Sequence, residues 1–287
     1  MQSDHKTLSH RIQKNAIESS LLVAFILSVL SFPANAQVLH PGDELFRLYK
    51  FLEFRNFPEN DRINIYPTQL STYSADSING DYQPFFPAID SDENGILYAA
   101  VRFDTYINTE YPRSFNDGNI WKGRGVTSAL FLTLNGKMGP LEYTFAPNVY
   151  VSENRQFVRP PVMGSANPNN YQFFSGRLDW VERYGTETHH QFDFGQSAVH
   201  LTNGKLKFGI STQNQVWGPA NFNPIIMSQN APGIPRFEFG TDTPISTKIG
   251  RVEFNYIWGQ LRESKYFDDN PDNNYRYLTG WTVGYQP

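Results

Sequence analysis

The stretch "VEFNYIWG", Val252–Gly259, places Val252, Phe254, Tyr256 and Trp258 on one side and Glu253, Asn255, Ile257 and Gly259 on the other. A period of two belongs to a strand, whose successive side chains point to opposite faces of a sheet. The pattern recurs along the chain. Leu97, Ala99, Val101 and Phe103 alternate with Tyr98, Ala100, Arg102 and Asp104, and Leu141, Tyr143 and Phe145 with Glu142, Thr144 and Ala146. Leu206, Phe208 and Ile210 alternate with Lys205, Lys207, Gly209 and Ser211, and Trp281, Val283 and Tyr285 with Gly280, Thr282, Gly284 and Gln286. Thr202-Asn203-Gly204-Lys205 carries the signal of a type I′ hairpin, and Asn135-Gly136 that of a second. These segments predict an all-β, antiparallel protein.

Two sheet architectures compete. A soluble sandwich or propeller packs its apolar face on another sheet and favours Val, Ile and Leu there. Here Phe, Tyr and Trp dominate that face, at strand ends as well as middles, as an interfacial aromatic girdle requires. The other face carries Lys205, Lys207, Arg251, Glu253 and Asp193, which a hydrated or plugged lumen tolerates. Long polar connections such as "FDDNPDNNY", Phe267–Tyr275, suit outer loops. The prediction is therefore an antiparallel outer-membrane β-barrel. A mean hydropathy of −0.49 does not oppose it, because lipid-facing and lumen-facing residues average out.

The first residues carry an export signal. Lys6, Arg11 and Lys14 form a basic region, "LLVAFILSVLSF" (Leu21–Phe32) an apolar core, and Ala34-Asn35-Ala36 a cleavage site. The apolar core falls short of the ~20 residues that span a bilayer. Mature protein is expected to begin at Gln37, in the bacterial outer membrane. Residues 37–89 are expected to form a helical and irregular periplasmic segment, and residues 90–287 the barrel. Within "DELFRLYKFLE", Asp43–Glu53, Leu45, Leu48, Tyr49 and Leu52 share one face, predicting a short amphipathic helix. The chain has no cysteine, so stability must come from packing or from a closed sheet. Its net charge of −4, with scattered basic residues, argues against nucleic acid as a partner.

Most chemical motifs dissolve on inspection. Asp90-Ser-Asp92-Glu-Asn94-Gly95 opens like a calcium loop, but Val101 stands where the closing carboxylate belongs, so a polar turn entering a strand fits better. His189 and His190 are neighbours on a strand and point apart, so they cannot chelate together. The nucleophile elbow, zinc-protease and phosphate-loop patterns do not occur, and no catalysis, metal or cofactor is expected.

Two segments resist so plain an account. "NDGNIWKGRG", Asn116–Gly125, sets Trp121 and Arg124 among glycines and amides, the groups that bind sugars. Residue chemistry alone favours the plainer reading, a Gly-rich turn opening the Val126–Leu134 strand with Trp121 as an interface anchor. "VWGPANFNPIIMSQNAPGIPRF", Val216–Phe237, holds four prolines, two glycines and four side-chain amides, with Arg236 its one charge. Such a segment can be neither helix nor clean strand, yet it is too apolar for a loose surface loop.

"DGNIWKGRG" (Asp117–Gly125), "LEYTFAPNVYVSEN" (Leu141–Asn154) and "GKLKFGISTQNQVWGPANFNPIIMSQNAPGIP" (Gly204–Pro235) together resemble the Wzi family of outer-membrane capsule-assembly proteins. The likeness covers roughly Asp117–Gly259, most of the mature chain. It implies a large antiparallel outer-membrane barrel with a small helical part, acting without catalysis as a lectin-like attachment factor for capsular or other surface polysaccharide. Val216–Phe237 is then an ordered fold-in of the lumen or outer mouth, since irregular backbone at membrane depth must be buried in protein or line a cavity. The residues expected to face sugar or form the plug are Trp121, Arg124, Asn214, Gln215, Trp217, Asn221, Asn230 and Arg236. The alternative is a porin-type solute channel, which requires an open lumen.

The barrel is expected to be incomplete in this chain. About 190 residues follow Ile96, and at ~20 residues per strand with its share of loop they make roughly eight to ten strands. A lumen of that size would be filled by side chains, with little room for Val216–Phe237. Pro287 also lacks the donor of a closing strand. An open sheet, without a ladder between its first and last strands, is predicted.

Overall fold

The computed structural model describes residues 40–41, 47–48, 51, 63, 65–67, 94–158, 184–220, 223–263 and 271–287. The expected export signal lies outside them, as does most of the expected helix, although Arg47, Leu48 and Phe51 are helical. The described residues are mostly antiparallel sheet. The strands are β1 Ile65–Pro67, β2 Gly95–Asn108, β3 Gly125–Met138, β4 Leu141–Phe145, β5 Asn148–Ser152, β6 His189–Asp193 and β7 Ala198–Asn203. They continue as β8 Leu206–Ser211, β9 Gln215–Trp217, β10 Arg236–Thr241, β11 Ile245–Thr247, β12 Gly250–Arg262 and β13 Tyr275–Gln286.

Several of these are halves of one interrupted strand. β3 pairs with β4 along its second half and with β5 along its first, and β7 and β6 extend the row as partners of β4 and β5. Pro147 stands between β4 and β5, where a residue without an amide donor breaks the ladder. β10 and β11 both pair with β12 and are parted in the same way at Pro244. The sheet is thus an up-and-down meander running β2, β3, β4/β5, β6/β7, β8, β10/β11, β12, β13. Among the described residues β2 pairs with β3 alone and β13 with β12 alone, so no ladder joins the outer strands. Among the described residues the sheet is not closed into a barrel.

Connections sort by length to the two ends of the meander. Gly139-Pro140, Gly204-Lys205 and Lys248-Ile249 make tight turns at one end. Residues 109–124, 153–188, 212–235 and 263–274 connect strands at the other. Two turn expectations need correction. Asn135-Gly136 is no turn: both residues lie in β3, where the ladder to β2 shifts register between Ile96 and Tyr98, and the turn comes at Gly139-Pro140. Asn135 is buried and donates from Nδ2 to Thr144 Oγ1 at 2.9 Å, a partner that a turn would not have offered. The hairpin at Asn203–Leu206 forms, but only Gly204 takes a positive φ (61°), the pattern of type II′ rather than I′.

The two faces invert the soluble rule. Phe208, Ile210, Phe237, Phe239, Tyr256, Trp258, Trp281 and Val283 are exposed, and Trp281 retains 73 % of its accessible surface. His200, Arg236, Glu238, Glu253 and Asn255 are buried on the opposite face, Glu253 at 1 %. Buried polar groups and a continuous exposed apolar face are the informative departures from ordinary burial. In-folded chain covers the polar face. From the 109–124 connection, Ile120 packs with Ala129, Phe131 and Tyr150. From the 212–235 connection, β9 pairs antiparallel with β1, and Ile65 and Trp217 pack on Ile257 of β12. Glu253 holds that ribbon, accepting from the amides of Ile63 at 3.1 Å and Ile65 at 2.9 Å.

Candidate functional site

The chain leaves the sheet after Ser211 and re-enters at Arg236, which pairs directly with Ser211. Between them lie five of the eight expected site residues, of which Asn221 is outside the described residues, and Arg236 itself is the sixth. Strand alternation turns Arg236 and Glu238 to the polar face while Phe237 and Phe239 face out. Glu238 becomes the hub. Its Oε1 lies 2.6 Å from His200 Nε2, and its Oε2 accepts from Arg236 Nε at 2.8 Å and Gln215 Nε2 at 3.0 Å. Arg236 Nη1 donates to the carbonyls of Gln213 (2.5 Å) and Ile234 (3.2 Å), so the guanidinium also ties both ends of the in-folded segment.

The cluster continues toward β12. Gln215 Oε1 accepts from Trp217 Nε1 and from Asn255 Nδ2, each at 2.9 Å. Asn214 receives Gln196 Nε2 on Oδ1 at 2.8 Å, donates from its amide to Gln196 Oε1 at 2.8 Å, and reaches Ala231 O from Nδ2 at 2.8 Å. Both side-chain amide atoms of Asn214 and of Gln215 are therefore spent within the protein. Trp217 is buried with its N–H used, against Ile65, Ile257, Met227 and Leu278. Asn214, Gln215, Trp217 and Arg236 form one buried structural network.

The remaining expected residues sit elsewhere. Trp121 is half-buried at the margin of the Ile120 cluster, its ring edge-on to Tyr184 at 4.7 Å and its N–H donated to Asn154 Oδ1 at 3.2 Å. Arg124 donates from Nε to Thr109 O (3.1 Å) and from Nη1 to Gln156 O (2.6 Å), clasping two long connections at their exposed edge. Asn230 is exposed and accepts on Oδ1 from the Asn116 amide at 3.3 Å, while the neighbouring Gly118 amide donates to Gln229 O at 2.7 Å. These bonds join the "NDGNIWKGRG" connection to the Pro-rich one, so the two segments singled out in the sequence do meet.

Sequence reasoning missed Glu238, His200, Asn255 and Gln196. Gly209 offered one signal. It stands opposite both His200 and Glu238 on the intervening strand, and a Cβ there would meet the His200 ring at 2.7 Å, so only a bare backbone lets the two side chains join. His40, from the N-terminal segment, also packs on the polar face, 4.7 Å from the Phe131 ring centroid. Burial, and then the nearby Arg102 guanidinium, lower its pKa from 6.5 to about 3. His189 stacks on Tyr184 at 5.0 Å while His190 is exposed on the opposite face. Among the described residues no group of three or more His, Asp or Glu could hold a metal ion. No family model matches the chain, nor does any curated protein or solved structure.

Proposed function

We propose that the sheet belongs to an outer-membrane β-barrel of the Wzi type, with a non-enzymatic role in retaining or assembling capsular or other surface polysaccharide. The observation that carries the membrane part is the inverted burial: Trp258, Phe237, Phe208 and Trp281 exposed on one face, Glu253, Glu238 and His200 buried on the other. A face of that composition costs free energy in water and gains it in lipid. Tight turns at one end and long connections at the other fit the periplasmic and outer sides of such a barrel.

Attachment is favoured over passive conduction by the packing on the polar face. The β1–β9 ribbon, Trp217 and the Glu238 network occupy the side that a porin keeps open to water. Glycan contact then falls to the outer margin, where Trp121, Arg124 and Asn230 join the two long connections, while Asn214, Gln215, Trp217 and Arg236 frame them. The deciding experiment compares capsule retained by cells lacking the gene with cells carrying it, alongside bilayer conductance of the purified protein. Loss of retained capsule with no stepwise conductance is expected. Full capsule on the deletion strain, or porin-like steps, would overturn the assignment.

A further inference from the structure

The wall of the meander has a saddle. β8 holds six residues, whereas β2, β3, β12 and β13 hold twelve to fourteen. Six residues at ~3.4 Å each rise about 20 Å before tilt, and a membrane strand needs about 9–11 residues. The register shows where the height is lost. Arg236 stands opposite Ser211 and Gly259, so β8 and β10 end level with Gly259, while β12 continues to Arg262. On the other flank Ser211 pairs with Ala198, beyond which the row continues through β6 to His189. The shortfall is on the side of the long connections.

A groove of about 710 Å³ occupies the saddle on the apolar face. Phe145, Phe194 and Val199 line one bank, Trp258 and Tyr277 the other, with Ile210 on the floor. Trp258 is held upright between Phe237, stacked at 5.9 Å, and Tyr277 at 6.5 Å. The one charged lining residue, Arg236, is already bound to Glu238 on the polar face.

We propose that this groove seats one acyl chain of a lipid from the leaflet on the long-connection side. The proposal rests on the membrane assignment above. A wall too short for the hydrocarbon layer must thin the bilayer or recruit apolar matter to the gap. The groove supplies an apolar trough open to the same face that meets lipid, with its own polar backbone satisfied: Thr212 N donates to Ser197 O at 2.8 Å and Gln260 N to Pro235 O at 3.1 Å. A chain lying there is ordered, unlike the lipid that exchanges freely around Trp281.

The test reconstitutes the full protein in vesicles of phosphatidylcholine mixed with its acyl-dibrominated form, whose bromines quench tryptophan on contact. Fluorescence of the wild type minus that of Trp258→Phe isolates Trp258, and subtraction of Trp281→Phe isolates Trp281, leaving buried Trp217 untouched. Quenching of Trp258 by a single seated chain is expected to rise in direct proportion to the brominated fraction, while Trp281, touched by several exchanging lipids, nears its limit at a lower fraction. Val199→Phe or Ile210→Phe, which fill the trough, should return Trp258 to the behaviour of Trp281. Equal dependence at the two positions in the wild type would overturn the groove and leave the membrane assignment standing. Quenching at neither would overturn both.

Discussion

Glu238 of β10 and His200 of β7 meet across a strand that lies between them, 2.6 Å apart over the bare backbone of Gly209. Arg236 completes a buried triad, its Nη2 lying 2.7 Å from Glu238 Oε2. Removing one member of a buried ion pair strands the other, at about 3–5 kcal/mol, whereas replacing both by apolar groups costs far less. Glu238→Leu should lower the unfolding midpoint in denaturant steeply, and Arg236→Met with Glu238→Leu should recover much of the loss. A double variant no better than the single would show that the pair does not act as a unit.

Trp217→Ala should destabilise by about 3–5 kcal/mol, because a buried indole is lost and the space among Ile65, Ile257 and Leu278 cannot collapse fully. Trp217→Phe keeps most of the packing and forfeits only the bond to Gln215, on the order of 1 kcal/mol. Heat-modifiable migration on gels, read against temperature, ranks the three proteins.

Arg124 is different, since it holds two carbonyls at an exposed edge rather than a core. Arg124→Ala should leave the sheet's unfolding midpoint almost unchanged while speeding protease cleavage within residues 109–124 and 153–158. Capsule retention should fall with it. Unchanged cleavage would remove the clasp from the account.

His40 gives a pH dependence. Its folded pKa of about 3 lies below the ordinary 6.5, so between those values the unfolded chain binds the extra proton and the folded chain does not. Stability is complete above pH 6.5 and declines as pH falls toward 3, at no more than ~1.4 kcal/mol per pH unit for one group. Denaturant midpoints at pH 7 and pH 5 should differ less in His40→Gln than in the wild type.

The strands were legible because alternation is a local signal. Val252, Phe254, Tyr256 and Trp258 announce both the strand and its apolar face. The expected lack of a ladder between the outer strands agrees with the described residues, in which β2 pairs with β3 alone and β13 with β12 alone. The buried network was not legible. Gln215, Glu238 and Asn255 are bonded over separations of 23 and 40 residues, set by the order of rungs rather than by any residue's neighbours. For the same reason the sequence left Trp217 as either sugar-facing or plug-forming, since its packing against Ile65 and Ile257 is made by distant strands. Asn135-Gly136 misled because a turn dipeptide inside a long strand has the same local signal as a real turn, and only the partner strand decides.

The clasp of Glu253 on the Ile63 and Ile65 amides joins residues 190 and 188 positions apart. Such a contact cannot form early, since most of the intervening chain must be laid down before its acceptor exists. The β1–β9 ribbon therefore waits on β12: until β12 is seated, the N-terminal strand has a partner in β9 but no anchor on the wall. Anything that delays β12 should leave a species with its rungs in place and its interior unsealed, open to protease from the inside. In folding, the first described strand is locked only after β12.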